Sequence, residues 1–133
     1  MAYKTTESVL IAFVTQVLAS SDVTAIIGQR LFFSDANETP TLPYSVCRME
    51  GSSITRHHSG QGGIEEVEVE LGLYASTPTE ALQLRDTIVE HLKGFSGTSN
   101  GTQLHRINYE GQSDDNDPQS KIFGYLLDFT VTA

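Results

Sequence analysis

The sequence predicts an α+β fold: one domain over residues 1–133, built on a four-stranded, mainly antiparallel sheet with helices packed on one face. Three observations carry this. Two stretches repeat apolar residues at helical spacing, two others alternate apolar and polar residues, and glycine- and proline-rich segments separate them. The element order that results is α-α-β-β-α-β-β.

Leu10, Phe13, Val14, Val17 and Leu18 form a single stripe on a first helix of about four turns. Thr5 or Thr6 can cap it, with Glu7 near the positive end of the helix dipole. Ser20 or Ser21 then starts a short helix through Val23, Ile26 and Ile27. Gly28 ends it, since glycine reaches positive φ without the steric cost of a Cβ. Residues 34–41 are polar, include Pro40 and read as loop. Pro43 opens a strand marked by Tyr44, Val46, Cys47 and Met49.

Residues 51–63 contain four glycines and three serines, with Ile54 their one aliphatic residue, and read as a flexible hairpin loop. In the next strand Val67, Val69, Leu71 and Leu73 point one way and Glu66, Glu68 and Glu70 the other. Thr77-Pro78-Thr79-Glu80 is a helix start. Thr77 can accept from the N3 amide, Pro78 suits the first helical position, and Glu80 completes a capping box. Ala81, Leu84, Ile88 and Leu92 line the buried side, and Gly94 stops the helix. Residues 94–102 read as a turn and 104–110 as a strand, with a polar loop through Pro118. The last strand carries Phe123, Tyr125, Leu127, Phe129 and Val131 on one face, and Gly124, Asp128 and Thr130 on the other.

Composition narrows the function. Apolar residues make up 38% of the chain, which suits a packed core. Seventeen acidic against eight basic residues give a formal charge of −9, the wrong sign for binding nucleic acid through its phosphates. The single cysteine, Cys47, excludes an internal disulfide and fits a buried strand position. No targeting or membrane-spanning pattern is visible, so a soluble protein made in the cytoplasm is expected.

Catalytic and metal-binding patterns are not found. No Gly-x-Ser-x-Gly elbow occurs, and His57 and His58 are adjacent, so on extended backbone they face opposite ways. His91 falls in a last helical turn, where the dipole favours a partly positive imidazole. Asp114, Asp115 and Asp117 are too contiguous for a calcium loop, lack its distal glutamate and read as a solvated turn. Gly60-Gln61-Gly62-Gly63 has no phosphate-loop lysine and precedes no helix. Glu66, Glu68 and Glu70 lack the asymmetry an acid–base pair needs. No catalytic residue, cofactor or metal is expected.

The ordered set of motifs resembles one family. Ile26-Ile27-Gly28-Gln29-Arg30-Leu31-Phe32 follows the amphipathic helix, and Leu42-Pro43-Tyr44 opens the first long strand. Val67 to Tyr74 then leads into the helix with Glu80-Ala81 near its start. Together these are similar to the tail completion (tail-to-head joining) proteins of long-tailed bacteriophages. The resemblance implies a virion protein without catalytic activity, forming a ring, usually sixfold, at the head-proximal end of the tail. Its implied partners are further copies of itself, the major tail tube protein and the head-completion or stopper connector. DNA passes through without specific binding, and no membrane is involved. Another neck or tail-terminator component, a small-molecule-binding or enzymatic α+β domain, or a free-standing regulator are the alternatives.

Within that expectation Gly28, Arg30, Pro43, Tyr44, Thr77, Pro78 and Glu80 are structural. Glu66, Glu68, Glu70 and Asp114 are candidates to face the lumen. The loop with Asp114, Asp115 and Asp117 is a candidate to order against tube or connector. The one local basic cluster, Arg56, His57 and His58, is assigned to an acidic protein partner.

Overall fold

The computed structural model describes residues 6–33, 41–56, 63–117 and 119–133, and for residues 6, 52–56 and 63–65 the backbone alone. Helices α1 (Thr6–Leu18) and α2 (Ser21–Ile27) are followed by strands β1 (Leu31–Phe33), β2 (Tyr44–Arg56) and β3 (Gly63–Ala75). Then come α3 (Pro78–Leu92), β4 (Gly97–Ser99), β5 (Thr102–Leu104), β6 (Arg106–Asp114) and β7 (Phe123–Thr132). The expected α+β class holds, but the main sheet has five strands, ordered β1-β2-β3-β7-β6. It is also mixed. Leu31–Phe33 pairs parallel to Ser45–Cys47, whereas all other neighbours in this sheet run antiparallel.

The α2–β1 junction explains the extra strand. Ser20 caps α2, its Oγ accepting from the Val23 amide at 3.4 Å. Gly28 closes it at φ 61°, ψ −126°, donating its N–H to the Thr24 carbonyl oxygen. Arg30 then turns back, donating from Nε to the Pro43 carbonyl oxygen (2.9 Å) and from Nη2 to that of Ile26 (3.3 Å). One side chain thus ties the end of α2 to the start of β2, across the cis Leu42–Pro43 peptide, and holds β1 alongside. The loop reading of residues 34–40, including Pro40, falls outside the described residues, as does the Thr5 cap.

Two further expectations need correction. Residues 51–56 and 63 are strand, not loop, and β2 and β3 stay paired out to Arg56 and Gly63. A two-stranded ribbon is held by backbone hydrogen bonds, which glycine and serine supply as well as any residue. Residues 97–104 form the small β4–β5 hairpin instead of a plain turn. Asn100 and Gly101 both have positive φ (47° and 77°), as a two-residue type I′ turn requires.

The core lies between the helices and one face of the sheet. Val67, Val69, Leu71 and Leu73 are fully buried as expected, and cross-strand register places Val131, Phe129 and Leu127 beside the first three. From α3, Ala81, Leu84, Ile88 and Leu92 pack onto this layer. Thr77 accepts from the Glu80 amide at 3.1 Å, and Pro78 occupies the first turn. The Glu80 carboxylate bonds Ser76 N–H at 3.4 Å, one residue before the position a capping box specifies.

In α1 the buried residues are Val9, Ala12, Phe13 and Val17, whereas Leu10, Val14 and Leu18 are only partly buried. The stripe is rotated because the β4–β5 hairpin covers a second side: buried Ser99 donates its hydroxyl to the Ala12 carbonyl oxygen at 2.7 Å. Phe13 meets Phe129 with ring centroids 5.6 Å apart. No single described helix is long and apolar enough to cross a membrane.

Candidate functional site: the open face of the sheet

Alternation puts a second set of side chains on the face away from the helices. It divides into an aromatic end and an acidic end. At the aromatic end Phe32, Tyr44 and Tyr74 form a row, with centroid distances of 6.1 Å and 5.1 Å. Tyr74 lies across Gly72, where a Cβ would come within 3.0 Å of the ring. Its hydroxyl donates to Asp115 Oδ2 at 2.6 Å, and burial, then that carboxylate, push its ionisation upward.

At the acidic end, register aligns Glu68 with Thr130 and Glu70 with Asp128. Glu50 joins them from β2 and Glu110 from β6, around a groove of about 470 Å³ also lined by Glu66, Asn108 and Thr132. Arg48 bonds Glu70, Nη1 to Oε1, at 3.2 Å. Glu50, Glu70 and Asp128 have carboxylate oxygens within 4.8 Å of one another. The Glu50 carboxyl is pushed up to about 7 by desolvation, by a hydrogen bond with Asp128, and by the charges of Asp128, Glu70 and Glu68. Like charges this close share protons more readily than they all ionise. The spacing would admit a hard cation, but exposed carboxylates adopt it without one, and none is assigned.

The expected Glu66, Glu68 and Glu70 therefore share one face, reinforced by Glu50, Glu110 and Asp128. Asp114, Asp115 and Asp117 do not join them. Asp114 ends β6 opposite Tyr125, Asp115 serves Tyr74, and Asp117 bridges to Ile122. Nor is the 112–118 segment a plain loop, since β6 runs through Asp114. Arg56 is the last residue of β2, while His57 and His58 lie outside the described residues. Cys47 is buried and its thiol is pushed up to about 12 by desolvation, so it stays protonated. His91 is held locally, its Nε2–H donating to the Gln16 carbonyl oxygen at 2.7 Å.

Glu50 and Glu110 were not among the expected site residues. Each sits at a β-bulge, Met49/Gly51 in β2 and Tyr109/Gly111 in β6, where one extra residue breaks the alternation. The Glu-Gly pair at both places is the sequence signal that could have found them.

A helical layer on one side of the sheet and a charged, unroofed face on the other define an α+β domain that presents surface. The profile of the family described as tail completion protein gp17 matches residues 12–133, and the chain belongs to that family, a structural protein of the phage tail. A chain from a structure described as the virion of a native gene transfer agent (GTA) particle shares the fold. Its TM-score is 0.73 at 10% identity, with 98% of each chain covered. Among curated proteins no relative matches.

Proposed function

We propose that the chain forms a ring at the head-proximal end of the tail, ending the tube and offering the head connector its docking surface. Family membership supports the location. The open acidic face is the observation that carries the mechanism. Glu50, Glu66, Glu68, Glu70, Glu110 and Asp128 gather on one side of the sheet, and a ring with that side inward has a negative bore. Six copies at −9 each would carry −54. Phosphates are repelled by such a wall, so DNA slides instead of adhering.

The protein then acts without bond-making chemistry, through contacts with its own copies, the tube and the connector. The basic cluster Arg56, His57 and His58, and the Asp114–Asp117 segment, are the candidates for those outer contacts. Assembly takes place in the host cytoplasm. Inactivating the gene and imaging the lysate by electron microscopy tests the reading: separate full heads and tails, or tails of uncontrolled length, are expected. Intact infectious virions would refute it.

A further inference from the structure

Three large apolar side chains are exposed among the described residues: Phe33 at 50%, Met49 at 48% and Leu82 at 45%. Phe33 and Met49 are neighbours, and with Leu10, Ile11 and Glu7 they line a groove of about 440 Å³ at the β1/β2 flank. Leu82 lies at the opposite flank. One turn further along α3, Arg85 donates to Gln112 Oε1 of β6 at 2.5 Å and sits 5.8 Å from the Tyr109 ring centroid. Residues three apart on a helix share a side, so Leu82 belongs to the β6 flank.

The sheet edges at these flanks are complementary. β1 covers only Ser45–Cys47, leaving Met49–Arg56 of β2 with no partner strand on that side among the described residues. On the far edge, β6 is engaged at Ile107 by Gly94 and Phe95 and extends past them to Asp114. Three antiparallel steps separate β2 from β6, so the two strands run in opposite directions. A second copy in the same orientation therefore brings its β6 antiparallel to β2.

Height along the strands agrees. Cys47 and Gln112 share one row across the sheet, through Leu71 and Leu127. Arg85 sits at that row, Leu82 one helical turn below it and Met49 two strand residues above. Raising the second copy by roughly 10 Å aligns Leu82 with Met49. The same shift carries the 109–114 edge clear of β1 and alongside Met49–Arg56. Opposite charges belong to the two flanks, Glu7 lining the groove and Arg85, which also pairs with Asp86 at 2.6 Å, one turn from Leu82.

We infer that the Leu10–Ile11–Phe33–Met49 groove seats Leu82 of a second copy, with β2 and β6 of the two copies edge to edge. This head-to-tail contact rests on the ring reading and specifies the joint from which a ring closes. Full-length Met49→Cys and Leu82→Cys chains, separately and mixed, are oxidised at high concentration while rings are counted by electron microscopy. Native Cys47 is buried and out of reach.

A disulfide-linked dimer in the mixture, and in neither variant alone, is the expected result, with a ladder of higher species for the double variant. Rings without the 49–82 link would overturn this contact and leave the ring reading standing. The link without rings would support the contact and count against the ring. Links within one variant alone would mean a symmetric dimer and overturn the proposal, as would neither link nor ring.

Discussion

Glu50 and Glu110 occupy β-bulges that start from one row of the sheet, directly after Met49 and Tyr109, which pair with Val69 and Phe129. Because β2 and β6 run in opposite directions, the added residues leave that row on opposite sides, Glu50 toward Glu68 and Glu110 toward Asp128, and both line the groove on the open face. The acidic face is therefore wider than β3 alone makes it, spanning four strands.

The crowding of carboxylates has a pH signature. Glu50 titrates near 7 in the folded chain against an ordinary 4.5, so the folded state binds more protons between those values. Stability should then fall as pH rises from about 4.5 to about 7 and level off above. Because Glu50 is exposed, solvent screening keeps the effect below about 1 kcal/mol. Urea melts of Glu50→Gln across this range should show a flatter profile, and added salt should flatten the parent in the same way.

Arg30 holds the α2–β2 junction through two carbonyl oxygens. Replacing it with Met keeps the apolar stem and removes both bonds. A loss of about 1–3 kcal/mol is expected, read from the urea midpoint at constant slope.

Gly124 is set by space. A Cβ there would lie 2.5 Å from the Leu73 carbonyl oxygen, 2.6 Å from the Tyr74 ring and 2.9 Å from the Asp115 carbonyl oxygen. Two of the three are backbone and cannot step aside. Gly124→Ala should cost about 2–3 kcal/mol by thermal or urea denaturation, the range of overpacked cores.

Reversing charge on the open face tests its role with DNA. Glu66 and Glu68 are exposed, so Glu66→Lys with Glu68→Lys should leave stability within about 0.5 kcal/mol. Virions carrying both should eject DNA more slowly or stall, most strongly at low salt. Ejection at the parental rate would contradict a lumen-facing β3.

Much of this was legible in the chain. The alternation from Val67 to Leu73 fixes both faces of β3, and Thr77-Pro78 fixes the start of α3 to the residue. What stayed hidden follows from tertiary contacts. Leu31–Phe33 is too short to signal a strand, and its pairing depends on Arg30 reaching residue 43. The 51–56 ribbon has no apolar pattern because its partner is backbone. In α1 the burial of Ala12 instead of Leu10 reflects Ser99, 87 positions away. At the site, Glu66, Glu68 and Glu70 were readable from period two, while Glu50 and Glu110 were masked by the bulges that aim them.

A cryo-electron-microscopy reconstruction of the neck tests the central claim most directly. The account predicts a closed ring of this chain at the end of the tail tube, its helices outward and the β3 carboxylates lining the DNA path. A neck lacking the chain, or a ring whose bore is lined by α1 and α3 with the acidic face turned outward, would contradict it.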